Sequence, residues 1–177
     1  MKLKTLLLLS SVIVVFSSCH KYKIDYPEPD LNEGVSIFPE EINGYMRQLY
    51  LIKNLEDKYL RGVKATYGDN FEISIAVINA YNPQGYEELD KNSLKQKLSK
   101  YFDKSYKKRY ENYSKHKFIQ QKNNTWIYEA LNDEFHVIAW QNGLWLFVIS
   151  AQKEDFDATV NKFKFISREE KYRFWKK

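Results

Sequence analysis

The chain has 177 residues, with 28 Lys+Arg against 23 Asp+Glu for a net charge of +5, and is 44% hydrophobic and 16% aromatic. That balance excludes a disordered acidic chain, a collagen-like repeat and a polytopic membrane protein, and it leaves ample material for one core. A single cysteine excludes an internal disulfide and a cysteine-based zinc cluster.

At the N-terminus Lys2 and Lys4 precede an apolar stretch from Leu6 to Phe16, broken only by Ser10 and Ser11. It falls short of the ~20 residues that a spanning helix needs. Small residues at Ser17 and Ser18 supply a cleavage site, so residues 1–18 read as a secretory signal. Cys19, the one cysteine, comes next. The run Val15-Phe16-Ser17-Ser18-Cys19 resembles the lipobox of bacterial lipoproteins. The resemblance implies thioether lipidation of Cys19, cleavage before it and acylation of the new amine. The expected product is anchored to a membrane without spanning it, because several acyl chains hold far better than one. By analogy with lipoprotein sorting, His20 in place of an acidic residue and the basic Lys21 and Lys23 favour the outer membrane facing the periplasm, over the inner membrane or the cell surface.

Residues 19–34 contain Pro27 and Pro29 and read as an extended tether, at ~3.1 Å per residue. A single domain is expected over residues 35–167. Its first strand is expected at Ile42 to Ile52. Leu60 to Tyr67 and Phe71 to Ala80 form a hairpin across Gly68-Asp69-Asn70, with Phe71, Ile73, Ile75 and Val77 alternating against Glu72, Ser74 and Ala76. A long amphipathic helix follows. Its stripe is Leu94, Leu98, Phe102, Tyr106, Tyr110 and Tyr113, with a capping-box pattern at Ser93 and Gln96. Strands are expected at Lys117 to Gln121, Thr125 to Leu131, Glu134 to Trp140 and Leu144 to Ala151. Asn132-Asp133 and Asn142-Gly143 read as two-residue turns, the second as type I′ with positive φ at both residues. A closing helix from Asp155 turns Phe156, Val160 and Phe163 inward. Residues 168–177 form a basic, aromatic tail.

The expected fold class is therefore α+β, a mostly antiparallel sheet of about six to seven strands with one long and one short helix packed on one face. This order loosely resembles PsbP/Mog1-like small domains. Through Phe38-Pro39-Glu40-Glu41-Ile42-Asn43-Gly44-Tyr45 and Ala139-Trp140-Gln141-Asn142-Gly143-Leu144-Trp145-Leu146-Phe147 it also resembles small Bacteroidota lipoproteins of unknown function. Such folds host unrelated activities, so no functional residue follows from the likeness.

Signals for catalysis are sparse. No Gly-x-Ser-x-Gly occurs, and His20, His116 and His136 stand apart without metal-ligand spacing. His136 reads as a hydrogen-bonded sheet residue, which two nearby carboxylates would turn into a catalytic candidate. The carboxylate pairs Asp155/Asp157, Glu87/Glu88 and Asp133/Glu134 fall at helix starts or turns, where capping accounts for them. Ten basic residues between Lys91 and Lys117 read as a solvated helix face, and export makes nucleic acid a poor partner. No cofactor is expected beyond the covalent lipid. The expected function is a lipid-anchored, non-catalytic binding module whose partner is an envelope protein, an envelope polymer or the membrane. Alternatives are an immunity or inhibitor lipoprotein acting on a toxin or lytic enzyme, and an enzyme with a scattered site. Within the tail, Lys171, Tyr172, Arg173, Phe174, Trp175, Lys176 and Lys177 suit contact with an anionic membrane or a partner, rings at headgroup level and cations toward phosphates.

Overall fold

A computed structural model describes residues 21–23, 36–52, 55–122 and 125–169. Cys19 and the tail residues 171–177 lie outside the described residues. The α+β class is observed, but the main sheet has eight strands, curled into a half-barrel, where six to seven were expected. Its strands are β2 (Glu41–Ile42), β3 (Tyr45–Leu51), β4 (Leu60–Tyr67), β5 (Ile73–Ala80), β6 (Lys115–Lys122), β7 (Thr125–Leu131), β8 (Phe135–Asn142) and β9 (Trp145–Gln152). They run in the order β2-β3-β4-β5-β9-β8-β7-β6, with antiparallel neighbours throughout. A separate pair joins β1 (Lys21–Lys23), inside the span read as a tether, to β10 (Ser167–Glu169).

The extra strand arises at Asn43-Gly44. The sequence there reads as one continuous strand, yet both residues have positive φ (51° and 83°) and fold β2 back on β3, pairing Ile42 with Tyr45. Positive φ at both central positions is the mark of a type I′ turn. At the other Asn-Gly pair the expectation fails by one residue. Asn142 pairs with Trp145, so the loop is Gly143-Leu144, and only Gly143 (φ 56°) is left-handed. That is the pattern of a type II′ turn, with glycine first. The neighbouring turn shifts in the same sense: the Asn132 amide bonds the Phe135 carbonyl, leaving Asp133-Glu134 at the tip. The Asn132 carboxamide oxygen accepts from the amides of Glu134 and Phe135.

The two helices do not share a face. On one side of the sheet, α3 (Lys153–Lys162) and the segment after it bring Phe156, Val160 and Phe163 against Ile75, Val77, Trp140, Phe147 and Ile149. On the other, α1 (Lys91–Phe102) brings Leu94, Leu98 and Phe102 against Ala76, Ile78, Ala80, Ala130, Ala139 and Val148. The residues between the large apolar ones on β5 and β8 are thus not solvent-facing. Small residues among them, Ala76 and Ala80 on β5 and Ala139 on β8, let α1 approach closely, and β5 is buried along both faces except at Ser74.

Helix α1 is capped by Asp90 rather than by the expected Ser93. The Asp90 carboxylate accepts from the amides of Asn92 and Ser93 and from the Ser93 hydroxyl. After Phe102 the chain continues as a π-helical segment, Asp103–Lys107, and a last turn, α2 (Lys108–Tyr110). The Lys108 amide donates to the Asp103 carbonyl, five residues back. A stripe spaced strictly by four drifts about 40° per step around an α-helix. The wider π turn takes back part of that drift and keeps Tyr106 and Tyr110 over the same sheet face as Phe102.

Candidate functional site

Beyond the end of α1, the sheet face is only partly covered, and a cavity of about 370 Å³ opens there. Its floor comes from three neighbouring strands. Ser74 of β5 pairs with Ser150 of β9, and one row away Ala76 lies between Lys64 of β4 and Val148 of β9. Its wall is the π segment and α2, which present Tyr106, Arg109, Tyr110 and then Tyr113. Asn70 and Phe71, from the loop between β4 and β5, form its rim.

The cavity is cationic. Among the described residues neither Lys64 nor Arg109 has a carboxylate partner, although other lysines of the helix do. Lys97 pairs with Asp57 at 2.7 Å, Lys107 lies 3.7 Å from Asp103, and Lys104 bonds Glu56. Burial, and then the neighbouring Arg109 cation, hold the Lys64 ammonium below its usual value. The tyrosines of the wall shift the other way. Burial pushes Tyr110 up to about 12 and raises Tyr106 further, the nearby Arg109 only partly offsetting this. At neutral pH these phenols are therefore neutral hydrogen-bonding groups.

The rim is strained. Phe71 has φ 58°, a left-handed conformation costly for a bulky side chain, and the residue is 52% exposed. It meets Tyr50 edge-on at 6.5 Å, and the Lys64 ammonium lies 5.8 Å from its centroid.

Two other hollows are already filled with internal chemistry. One, of about 440 Å³, lies between α1 and the segment before β4 and contains the Lys97–Asp57 and Lys104–Glu56 pairs. The other, of about 400 Å³, is closed at its base by buried Gln141. The Gln141 carbonyl oxygen accepts from the Ser99 hydroxyl (2.9 Å) and the Trp126 indole (3.1 Å), while its amide donates to the Lys95 carbonyl (3.1 Å). This knot ties α1 to β7 and β8.

The residues singled out from sequence do not converge. His136 meets a single carboxylate among the described residues, Glu129 of β7, at 2.7 Å, and its ring stacks on Phe156 at 3.6 Å. The Tyr22 hydroxyl donates to the same Glu129 oxygen at 3.1 Å. Burial alone would raise Glu129, but the hydrogen bond and charge of His136, with the bond from Tyr22, hold it below the usual carboxylate range. The cluster joins β1, β7, β8 and α3 and serves packing. Asp155 is buried in the first turn of α3 and accepts from the Asn43 amide at 2.6 Å, whereas Asp157, Glu87, Glu88, Asp133, Glu134 and His116 are exposed. No group of three metal-ligating side chains gathers among the described residues. Among them, too, no helix is long and apolar enough to cross a membrane.

Sequence reasoning missed the cavity because its polar members are scattered. Lys64 and Ser150 are 86 positions apart in the chain and meet only through the register β4-β5-β9. The tyrosine stripe was the one available signal, since a helix core rarely uses tyrosine at three successive stripe positions unless the hydroxyls find something polar. Compared with family models, with curated proteins and with solved structures, the chain gives no match to any of the three.

Proposed function

We propose that the protein is a lipid-anchored module of the bacterial envelope that works by binding rather than by catalysis. The lipobox-like run ending at Cys19 supports the anchor, and the outer membrane facing the periplasm is its proposed place. The observation that carries the binding reading is the cavity, where Lys64 and Arg109 lack carboxylate partners among the described residues and neutral tyrosines line the wall. The histidine best placed for chemistry, His136, is instead engaged with Glu129 and stacked on Phe156. The partner is a molecule of the envelope rather than a nucleic acid.

Metabolic labelling with a palmitate analogue tests the anchor. The wild-type chain is expected to take up label and fractionate with membranes, and Cys19→Ser is expected to lose both. Label persisting in the variant would refute the anchor. The tail Lys171 to Lys177 is proposed as an auxiliary contact with anionic lipid. Truncation after Glu170 keeps β10 intact and is expected to reduce binding of unlipidated protein to anionic vesicles at low salt; equal binding would remove the tail from the proposal.

A further inference from the structure

We propose that the cavity between the π segment and strands β4, β5 and β9 binds a small amphiphilic anion, a carboxylate or phosphate head on an apolar body. This deepens the binding reading and is independent of the lipid anchor. Three observations converge on it.

The first is charge. Lys64 and Arg109 line the same cavity, and no carboxylate lines it with them. Like charges on a partly dry surface repel, and burying an ammonium without a partner is costly. Here Lys64 lies near the Phe71 ring and Arg109 is exposed, whereas an anion seated between them would neutralise both. Arg109 offers a planar fork of donors suited to carboxylate or phosphate. Ser74 and Ser150 add neutral hydroxyls around the same space, Ser150 also bonding Tyr110, while Asn70 at the rim donates to the Glu72 carboxylate.

The second is shape and polarity. About 370 Å³ falls within the roughly 300–1,000 Å³ of small-molecule sites, which pair an apolar lining with a few polar groups. Tyr106, Tyr110 and Tyr113, with Phe135 and Val148, supply the apolar part of a lining in which polar surface predominates. A bare inorganic anion would leave that lining unused, and a cationic ligand would face two like charges.

The third is strain at the entrance. Phe71 is held left-handed and about half exposed, its amide closing the turn onto the Gly68 carbonyl and its ring meeting Tyr50 edge-on. Strained residues of this kind cluster at ligand sites. The π segment, which sets Tyr106 and Tyr110 over the cavity, is a second irregularity of the sort found at functional positions. An apolar ligand body closing against Phe71 would cover the exposed ring.

The test is calorimetric titration of the chain from residue 19 onward carrying Cys19→Ser, which retains every described residue. The probes are octanoate, octyl phosphate, octanol, octyltrimethylammonium and inorganic phosphate. The two anionic amphiphiles are expected to bind at least tenfold tighter than octanol or inorganic phosphate, and octyltrimethylammonium not to bind. Lys64→Met with Arg109→Met is expected to weaken both anions at least tenfold without lowering the melting temperature. Phe71→Gly suits the local backbone, so it keeps the test sound should the double substitution fail to fold; it is expected to weaken octanoate at least threefold. Competition by phosphatidylglycerol vesicles would identify a membrane lipid as the source of the anion, and its absence a free amphiphile. Octanol binding as tightly as octanoate, unchanged affinity in the variants, or no binding by either anion would overturn the proposal. Such a failure would leave the anchor standing, since that rests on the Cys19 labelling.

Discussion

Glu129 shows how one side chain can hold distant parts of this chain together. Its carboxylate receives His136 and Tyr22 at once, and Tyr22 is only 2% exposed although its strand has three residues. Glu129→Ala removes the carboxylate that both His136 and Tyr22 bond in a partly buried place, and it is expected to cost about 1–3 kcal/mol in a urea melt. Because the Glu129 carboxyl is depressed in the folded state, its contribution is present above the ordinary carboxylate range and is lost as pH falls through the depressed value. Wild type should therefore lose stability toward acid more steeply than Glu129→Gln; parallel pH profiles would deny the carboxylate this role. The sequence correctly suggested a hydrogen-bonded sheet histidine. It could not suggest Glu129 or Tyr22, whose contact spans 107 positions.

At the scale of elements, legibility follows the range of the interaction that decides each one. Strands β3 to β9 and helices α1 and α3 were readable because apolar periodicity is local, and their observed ends fall within a few residues of those expected, whereas β1, β2 and β10 were not read. Turn placement was not, because cross-strand register decides it. Asn43-Gly44 forms the type I′ turn expected of Asn142-Gly143, which instead sits one residue off. Glycine is still required at the second hairpin. Gly143→Val is expected to lower stability by about 1 kcal/mol or more, since a β-branched residue resists positive φ; an unchanged thermal melt would contradict the turn. The α1 attachment was equally invisible, since a glutamine in a strand carries no signal of what it bonds. Gln141→Ala is expected to cost about 1–3 kcal/mol by stranding Ser99 and the Trp126 indole. Hydrogen exchange in α1 should rise more than in α3, and equal rises would mean the knot does not specifically hold that helix.

Among the described residues the middle of the sheet is covered on both faces, and that is the feature the sequence concealed most. Alternation along β5 reads as one buried and one wet face, because alanine and serine between larger residues look solvent-facing until a helix is seen above them. The same covering buries tyrosines, and burial raises their phenols. A phenol raised in the folded state contributes stability that is complete below its unfolded value near 10 and lost as pH rises through the folded value, about 12 for Tyr110. Melting temperature is accordingly expected to fall between pH 10 and 12, and less steeply in Tyr110→Phe; identical slopes would place that hydroxyl in water. The most direct measurement of the binding account is amide chemical-shift mapping while octanoate is titrated into the isotope-labelled chain. Shifts confined to Lys64, Phe71, Ser74, Arg109, Tyr110 and Ser150 are the expected result. Shifts gathered instead along the exposed Met46 to Leu51 edge, or none at all, would contradict it.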